Sequence, residues 1–245
     1  MTEDQSIAQD AYDALADSYA DEIASNPYNE HMAFPGTTGL VPDVEDKRIL
    51  DAGCGTGKYT KWLLDQGADV VGIDVSEAML ERAIESIGDA ARFHRASLDE
   101  PLSFASEDEF DGIVSGLALG YVKDWGELFS EFGRILKPNG FVVFSVKHPV
   151  NEFPLDEDEN YYEIERTVKE WAVDVPYFSR PLEAMFNPIM DAGFSIDAID
   201  EPQPTDAFEE EWPERYAKES RHPVFLVIRA VNETNRSGSA RTFTA

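Results

Sequence analysis

Between residues 46 and 231 the chain alternates between two hydrophobic rhythms. Short runs rich in aliphatic and aromatic residues fall at 48–52, 69–74, 91–96, 110–116 and 141–146. Between them, apolar residues recur at helical spacing over 58–66, 76–87 and 125–136. The first pattern predicts strands and the second predicts helices. Gly88 provides a helix stop, and Lys137-Pro138-Asn139-Gly140 reads as a stop followed by a turn. A further helix at 182–192, stopped by Gly193, and strands at 194–199 and 224–231 complete the set. Strands that alternate with helices predict an α/β fold, with a mostly parallel sheet covered on both faces.

The flanks keep a different rhythm. Residues 5–24, through Tyr12, Leu15 and Tyr19, carry helical spacing up to a break at Asn26-Pro27, and a loop bearing Pro and Gly is expected over 34–46. Residues 148–179 interrupt the alternation. A charge-rich turn at 156–159 and an aromatic, aliphatic and charged alternation over 161–171 read as an inserted hairpin or lid. Residues 232–245 lack apolar periodicity and read as a mobile tail. The expected organisation is a helical cap at 1–45, a ligand-binding core at 46–147, a lid at 148–180, completion of the sheet at 181–231 and the tail.

Composition narrows the function classes. At 245 residues, with 42% hydrophobic and 11% aromatic residues, one large domain with a substantial core is expected. The lone Cys54 excludes a disulfide scaffold and a multi-cysteine zinc site. No apolar run approaches the roughly 18 residues of a membrane span, and residues 1–10 are acidic where a targeting peptide is basic, so a cytoplasmic protein with no membrane partner is expected. The formal net charge of −29 disfavours nucleic acid as a partner.

The chemistry sits in Ile49-Leu50-Asp51-Ala52-Gly53-Cys54-Gly55-Thr56-Gly57-Lys58, a buried strand that runs through glycines into a helix. Such glycines let a ligand approach backbone amides. A phosphate-gripping P-loop is excluded because Ala52 stands where its first glycine would be and Tyr59 where Ser or Thr follows the lysine. A dinucleotide fingerprint beginning at Gly53 fails at Lys58. Asp51, two residues before Gly53, suits a ligand with an ammonium group better than a pyrophosphate. Asp74, ending the next strand 23 positions later, can accept both hydroxyls of a ribose.

These segments, with Gly72-Ile73-Asp74-Val75-Ser76, Phe110-Asp111-Gly112-Ile113-Val114-Ser115 and Leu136-Lys137-Pro138-Asn139-Gly140-Phe141, resemble the class I S-adenosylmethionine-dependent methyltransferases. Tyr12-Asp13-Ala14-Leu15-Ala16 and Arg180-Pro181-Leu182 look more loosely like the type 11 members, which act on small molecules. The resemblance implies a seven-stranded Rossmann-like sheet and S-adenosylmethionine as methyl donor, with S-adenosylhomocysteine as product. It implies that Ala52, Gly53 and Gly55 hold the methionine moiety and that Asp51 neutralises its ammonium directly or through water. Asp74 would hold the ribose, Val75 and Leu98 the adenine, and Ser115 and Gly116 would line the way to the acceptor. Ser97 or Asp99 would hydrogen-bond the adenine amino group.

The fourth strand ends in Ser115-Gly116-Leu117-Ala118, unlike the Asn/Asp-Pro-Pro-aromatic motif of enzymes that methylate adenine or glutamine nitrogen, and no Pro-Cys pair supplies a thiolate for cytosine. No His, Cys and Asp cluster has metal-ligand spacing. A small-molecule acceptor is therefore expected, walled by Tyr12, Tyr19, Tyr121, His148, Tyr161, Tyr162 and Trp171. His148, after the fifth strand, is a candidate general base, with Tyr121 beside it as a catalytic candidate; the alternative is that His148 caps the strand or bonds a loop carbonyl. Rival readings are a non-catalytic S-adenosylmethionine-binding protein, a methyltransferase acting on protein or RNA, and a nucleotide-dependent oxidoreductase. The charge also predicts a salt-adapted, halophilic origin, because molar salt shortens the Debye length to ~3 Å and quenches self-repulsion. The melting temperature is expected to rise between dilute buffer and molar KCl; a flat or falling value removes this reading.

Overall fold

The computed structural model describes residues 26–152, 160–169 and 175–233. Its main sheet contains β1 (Arg48–Ala52), β2 (Asp69–Asp74), β3 (Arg92–Arg95), β4 (Phe110–Gly116), β5 (Leu136–Lys147), β8 (Phe194–Asp200) and β9 (Phe225–Asn232), in the order β3-β2-β1-β4-β5-β9-β8. Strands β1 to β5 pair in parallel, and β9 lies antiparallel between β5 and β8. A separate antiparallel pair joins β6 (Glu165–Lys169) to β7 (Val175–Ser179). The chain winds outward from β1 to β3 and then returns to the other side of β1. The strand order therefore reverses between β1 and β4, where open α/β sheets form a ligand crevice at the strands' carboxyl ends.

Neighbouring residues along each central strand are buried on opposite faces, the signature of a sheet covered on both sides. Leu50, Val71, Ile113, Val142 and Ile228 pack in one cluster with α4 (Trp125–Ile135) and α5 (Leu182–Asp191). Ile49, Val70, Val114, Val143 and Val227 pack in another with Leu63 of α2 (Lys58–Asp65). The α4 helix forms because Trp125, Leu128, Phe129, Phe132 and Ile135 fall on one face. Its start is capped by Asp124, whose Oδ1 accepts the amides of Gly126 (2.9 Å) and Glu127 (3.1 Å). Ser76 caps α3 (Glu77–Ile87) in the same way, accepting the Met79 amide at 3.3 Å.

Three local expectations are corrected. The segment 34–46, expected as a loop, begins with the helix α1 (Phe34–Leu40), continuous with a π-helical stretch at Asn29–Ala33. Pro35 sits inside this continuous helical run, directly after the π-helical widening, and Gly36 lets the helix approach Pro202, where a Cβ would lie 2.8 Å from the Pro202 Cβ. The expected turn at 137–140 is a bulge inside β5: between the pairs Phe110 with Leu136 and Gly112 with Phe141, β5 advances five residues while β4 advances two. Asn139 sits there at φ 63°. Residues 206–219, left unassigned by the sequence pattern, form α6 (Asp206–Glu211) and α7 (Pro213–Glu219). The expected helix at 5–24, the turn at 156–159 and residues 234–245 of the expected tail lie outside the described residues, while β9 extends to Asn232.

Phe129 is the centre of the larger cluster, with its ring centroid 5.7 to 5.8 Å from those of Trp125, Phe132, Phe144 and Phe194. Phe129→Ala is expected to lower the unfolding free energy by about 3–5 kcal/mol, measured as a shift in the urea midpoint at constant slope. A loss under about 1 kcal/mol would contradict the packing described.

Candidate active site

The crevice between β1 and β4 opens into a cavity of about 780 Å³, within the range of about 300–1,000 Å³ usual for small-ligand sites. One end is the glycine loop. Gly53, Gly55 and Gly57 have φ of 77°, 54° and 89°, the left-handed region that favours glycine. The amides of Gly53 and Cys54 donate to the Ile73 carbonyl at 2.9 and 2.8 Å, which fixes the loop against β2. A Cβ on Gly53 would lie 2.3 Å from the Ala118 Cβ, and one on Gly57 would strike Ile87 of α3. Gly55 instead faces open space.

Asp74 links this loop to the next helix. One of its carboxylate oxygens accepts the Gly55 amide at 2.8 Å and the other accepts the Ser76 amide at 2.9 Å. Asp74 and Val75 line the cavity together with Leu98 and Asp99. Ser97 does not line it; its hydroxyl accepts the Asp99 amide at 3.2 Å. Of the two residues left open for the adenine amino group, Asp99 is thus the one at the cavity wall, and Ser97 holds its backbone.

Asp51 is fully buried behind the loop. Its Oδ2 accepts the Thr60 hydroxyl at 2.6 Å, while Oδ1 has no hydrogen-bond partner among the described residues. Burial pushes its pKa up to about 7, opposed by hydrogen bonds from Thr60 and reinforced by the charge of Asp74. Burial likewise pushes the Cys54 thiol up, so Cys54 behaves as a small hydrophobe under Gly72, not as a thiolate. Ala52 and Ser115 are also buried beneath the wall, and the Ser115 hydroxyl donates to the Ala52 carbonyl at 2.7 Å, tying β4 to β1.

Gly116 ends β4 against Tyr59, whose ring carbon would lie 2.1 Å from an added Cβ. Tyr59 is held by Thr37 and Ser145, and burial pushes its hydroxyl up to about 12. Leu117 follows at φ 59°, an uncommon conformation for a non-glycine residue, with its amide bonded to the Ser145 carbonyl at 3.1 Å. Besides Gly116 and Leu117 the cavity is lined by Tyr121, Trp125, Tyr177, Phe178, Arg180 and Phe225. The β6–β7 hairpin reaches this end: the Lys147 ammonium lies 3.8 Å from the centroid of the Tyr177 ring. A second wall comes from residues 26–34 and from α7. The Tyr28 hydroxyl donates to Glu219 Oε1 at 3.0 Å and accepts from Arg215 Nη1 at 3.1 Å, while its ring packs on Phe208 and Trp212.

Of the expected acceptor wall, Tyr121 lines the cavity and His148 does not. His148 Nδ1 accepts the Val150 amide at 3.1 Å, which leaves the proton on Nε2, 2.8 Å from Glu201 Oε1. Burial lowers its pKa more than Glu201 raises it. Both ring nitrogens are thus occupied at the turn into residues 149–152. Tyr161 accepts the Leu182 amide at 3.2 Å, and Tyr162 is 80% exposed; neither lines the cavity. Tyr12, Tyr19 and Trp171 lie outside the described residues. Sequence reasoning missed Tyr28, Phe34, Tyr59 and Phe225 as wall residues, because they lie on elements read as loop or core. Among the described residues no group of three His, Cys, Asp or Glu side chains is placed to hold a metal ion, and no helix is long and apolar enough to cross a membrane.

The family described as a methyltransferase domain matches residues 50–144, the span from β1 to β5. The crystal structure of an S-adenosylmethionine-dependent methyltransferase from Mesorhizobium loti aligns at 29% identity with a TM-score of 0.68, covering 85% of this chain and 99% of that one. An uncharacterized Haemophilus influenzae protein is 28% identical, covering 85% of this chain and 91% of its own length. A malonyl-[acyl-carrier protein] O-methyltransferase of Pseudescherichia vulneris is 35% identical over half of this chain and 49% of its own length.

Because Asp51 stays protonated to about pH 7 when folded but ionises near 3.9 when unfolded, the native state binds the extra proton between those values. Its contribution to stability therefore falls as pH rises from about 4 to 7. Asp51→Asn is expected to flatten that part of the stability-against-pH curve, followed by urea unfolding across the range; an unchanged slope would show that Asp51 is ionised in the fold.

Proposed function

The chain is a class I S-adenosylmethionine-dependent methyltransferase, and we propose that its acceptor is a small molecule held at the far end of the cavity. The supporting observation is that one cavity joins the glycine loop and Asp74 to an aromatic chamber across Gly116 and Leu117. The residues present fit the donor. Gly55 leaves open space at the loop, and the buried Asp51 Oδ1 lacks a partner that a bound ammonium, directly or through water, would supply. Asp74 would hold the ribose hydroxyls with the remaining lone pairs of its two oxygens, whose positions are fixed by the Gly55 and Ser76 amides. Val75, Leu98 and Met79 would enclose the adenine, with Asp99 at its edge.

The bound donor supplies a methyl carbon attached to sulfonium, displaced in line with the C–S electron pair remaining on sulfur. The chain's own task is then positioning and exclusion of water. Gly116 and Leu117 would set the approach to the methyl group, while Tyr121, Trp125 and Phe178 would keep the chamber dry and their ring faces favourable to positive charge. His148, closed off by Val150 and Glu201, would brace the turn after β5, and an acceptor proton would leave through Tyr121 or solvent. The O-methyltransferase relative puts oxygen first among the acceptor atoms to assay. We extend the proposal to an acid-rich, salt-adapted cytoplasmic enzyme with no nucleic-acid partner, in keeping with the charge of −29.

Calorimetric titration in molar KCl is expected to show micromolar binding of S-adenosylmethionine and S-adenosylhomocysteine and none of NAD. Asp74→Ala should weaken both by roughly 10- to 100-fold, the value of one or two charge-assisted hydrogen bonds. Absence of binding by folded protein would remove the reading.

A further inference from the structure

Arg180 follows β7 and precedes α5, lines the cavity, and is 1% exposed. Its guanidinium stacks 4.5 Å from the Trp125 ring centroid, and Nη2 donates to the Val122 carbonyl at 2.6 Å. Nε and Nη1 have no hydrogen-bond acceptor among the described residues. Burying guanidinium donors without acceptors is unfavourable, and a fold needing only bulk at this position would be served by an apolar side chain. Glu152 and Asp124 act on Arg180 through space, yet neither supplies the missing acceptors at Nε and Nη1. Burial draws the guanidinium down to about 10, so it remains charged near neutral pH.

We propose that Arg180 anchors a carboxylate on the methyl acceptor. The inference rests on the methyltransferase reading and narrows its substrate class. A carboxylate supplies the oxygen acceptors that Nε and Nη1 lack. A single negative charge suits the site better than the double charge of a phosphate monoester, because Glu152 and Asp124 already contribute negative potential there. The hydrocarbon part of the acceptor would lie against Trp125, Phe178 and Met185, which share the cavity wall with Arg180. The acceptor is thus an amphipathic acid whose charged end is fixed at Arg180 while the rest of the molecule reaches toward Gly116.

The test uses the protein saturated with S-adenosylhomocysteine and, as probes, hexanoate, benzoate and 3-phenylpropanoate, each against its neutral amide, with phenyl phosphate as the dianionic comparison. At least one acid is expected to bind tenfold or more tightly than its amide and than phenyl phosphate. Arg180→Met should abolish that preference while leaving S-adenosylhomocysteine affinity within twofold and the melting temperature unchanged or higher, an outcome a structural arginine would not give. Arg180→Lys, which keeps the charge, should retain part of the preference. Equal binding of acids and amides, binding of neither, tighter binding of phenyl phosphate, or a preference that survives in Arg180→Met overturns the anchor. If Arg180→Met does not fold, the acid-to-amide ratios in the wild-type and Arg180→Lys proteins decide. Wild-type protein that binds S-adenosylhomocysteine without preferring acids refutes only the anchor; wild-type protein that does not bind it refutes the methyltransferase reading as well.

Discussion

The site depends on two contacts where there is no room for a methyl group: Gly53 against Ala118, and Gly116 against Tyr59. Together they set how closely the ends of β1 and β4 and the segments that follow them approach. A Cβ at either position would meet a heavy atom at 2.1 to 2.3 Å, so one of the two segments would have to move. Parallel pairing alone brings Asp51 opposite Val114 and leaves the ends of both strands free to splay. The Ser115 hydroxyl on the Ala52 carbonyl, and the Leu117 amide on Ser145, hold them in place. The loop can then present Gly55 to a ligand because its other two glycines are committed to packing.

Charges of both signs line the cavity. Beside the loop, Asp74 lines the cavity and Asp51 lies buried, and burial together with the charge of Asp74 pushes the Asp51 pKa up to about 7. Lys58, Lys147, Arg180, Arg215 and Lys218 bring positive charge to the cavity wall of a chain that is otherwise acidic, with Glu152 and Glu219 among them. A surface of net charge −29 repels anions at long range, and screening by salt shortens that repulsion to a few ångströms. Inside the chamber solvent screening is weaker, and the fixed cations act on whatever has entered.

Much of the sheet could be read from the sequence because each central strand is apolar on both faces and bounded by a glycine, a cap or a proline turn; 69–74 and 110–116 coincide with β2 and β4. That Gly53, Gly55, Asp74, Val75 and Leu98 line one cavity was legible for the same reason, since all lie within three residues of a strand end. Positions whose function depends on distant partners were not. The burial of Arg180 follows only once α4 places Trp125 against it, and the place of Tyr59 only once Gly116 leaves space beside it. Segment 34–40 looked like a loop because proline and glycine count against helix in isolation, while its packing against Pro202 and Val227 is visible only in three dimensions. His148 was open to two readings because proximity to a strand end does not reveal that Val150 and Glu201 lie at its two ring nitrogens.

The position of β9 affects how the chain can be made. It is the last described strand and lies antiparallel between β5 and β8, pairing with residues 141–147 on one side and 194–200 on the other. During synthesis, β5 emerges roughly 80 residues before the strand that will flank it, and β8 emerges with no neighbour in the sheet at all. The nascent chain therefore carries two open hydrogen-bonding edges for several seconds at ordinary elongation rates of about 5–20 residues per second. A dense negative charge on that chain would keep ribosome-bound copies apart while those edges wait for β9.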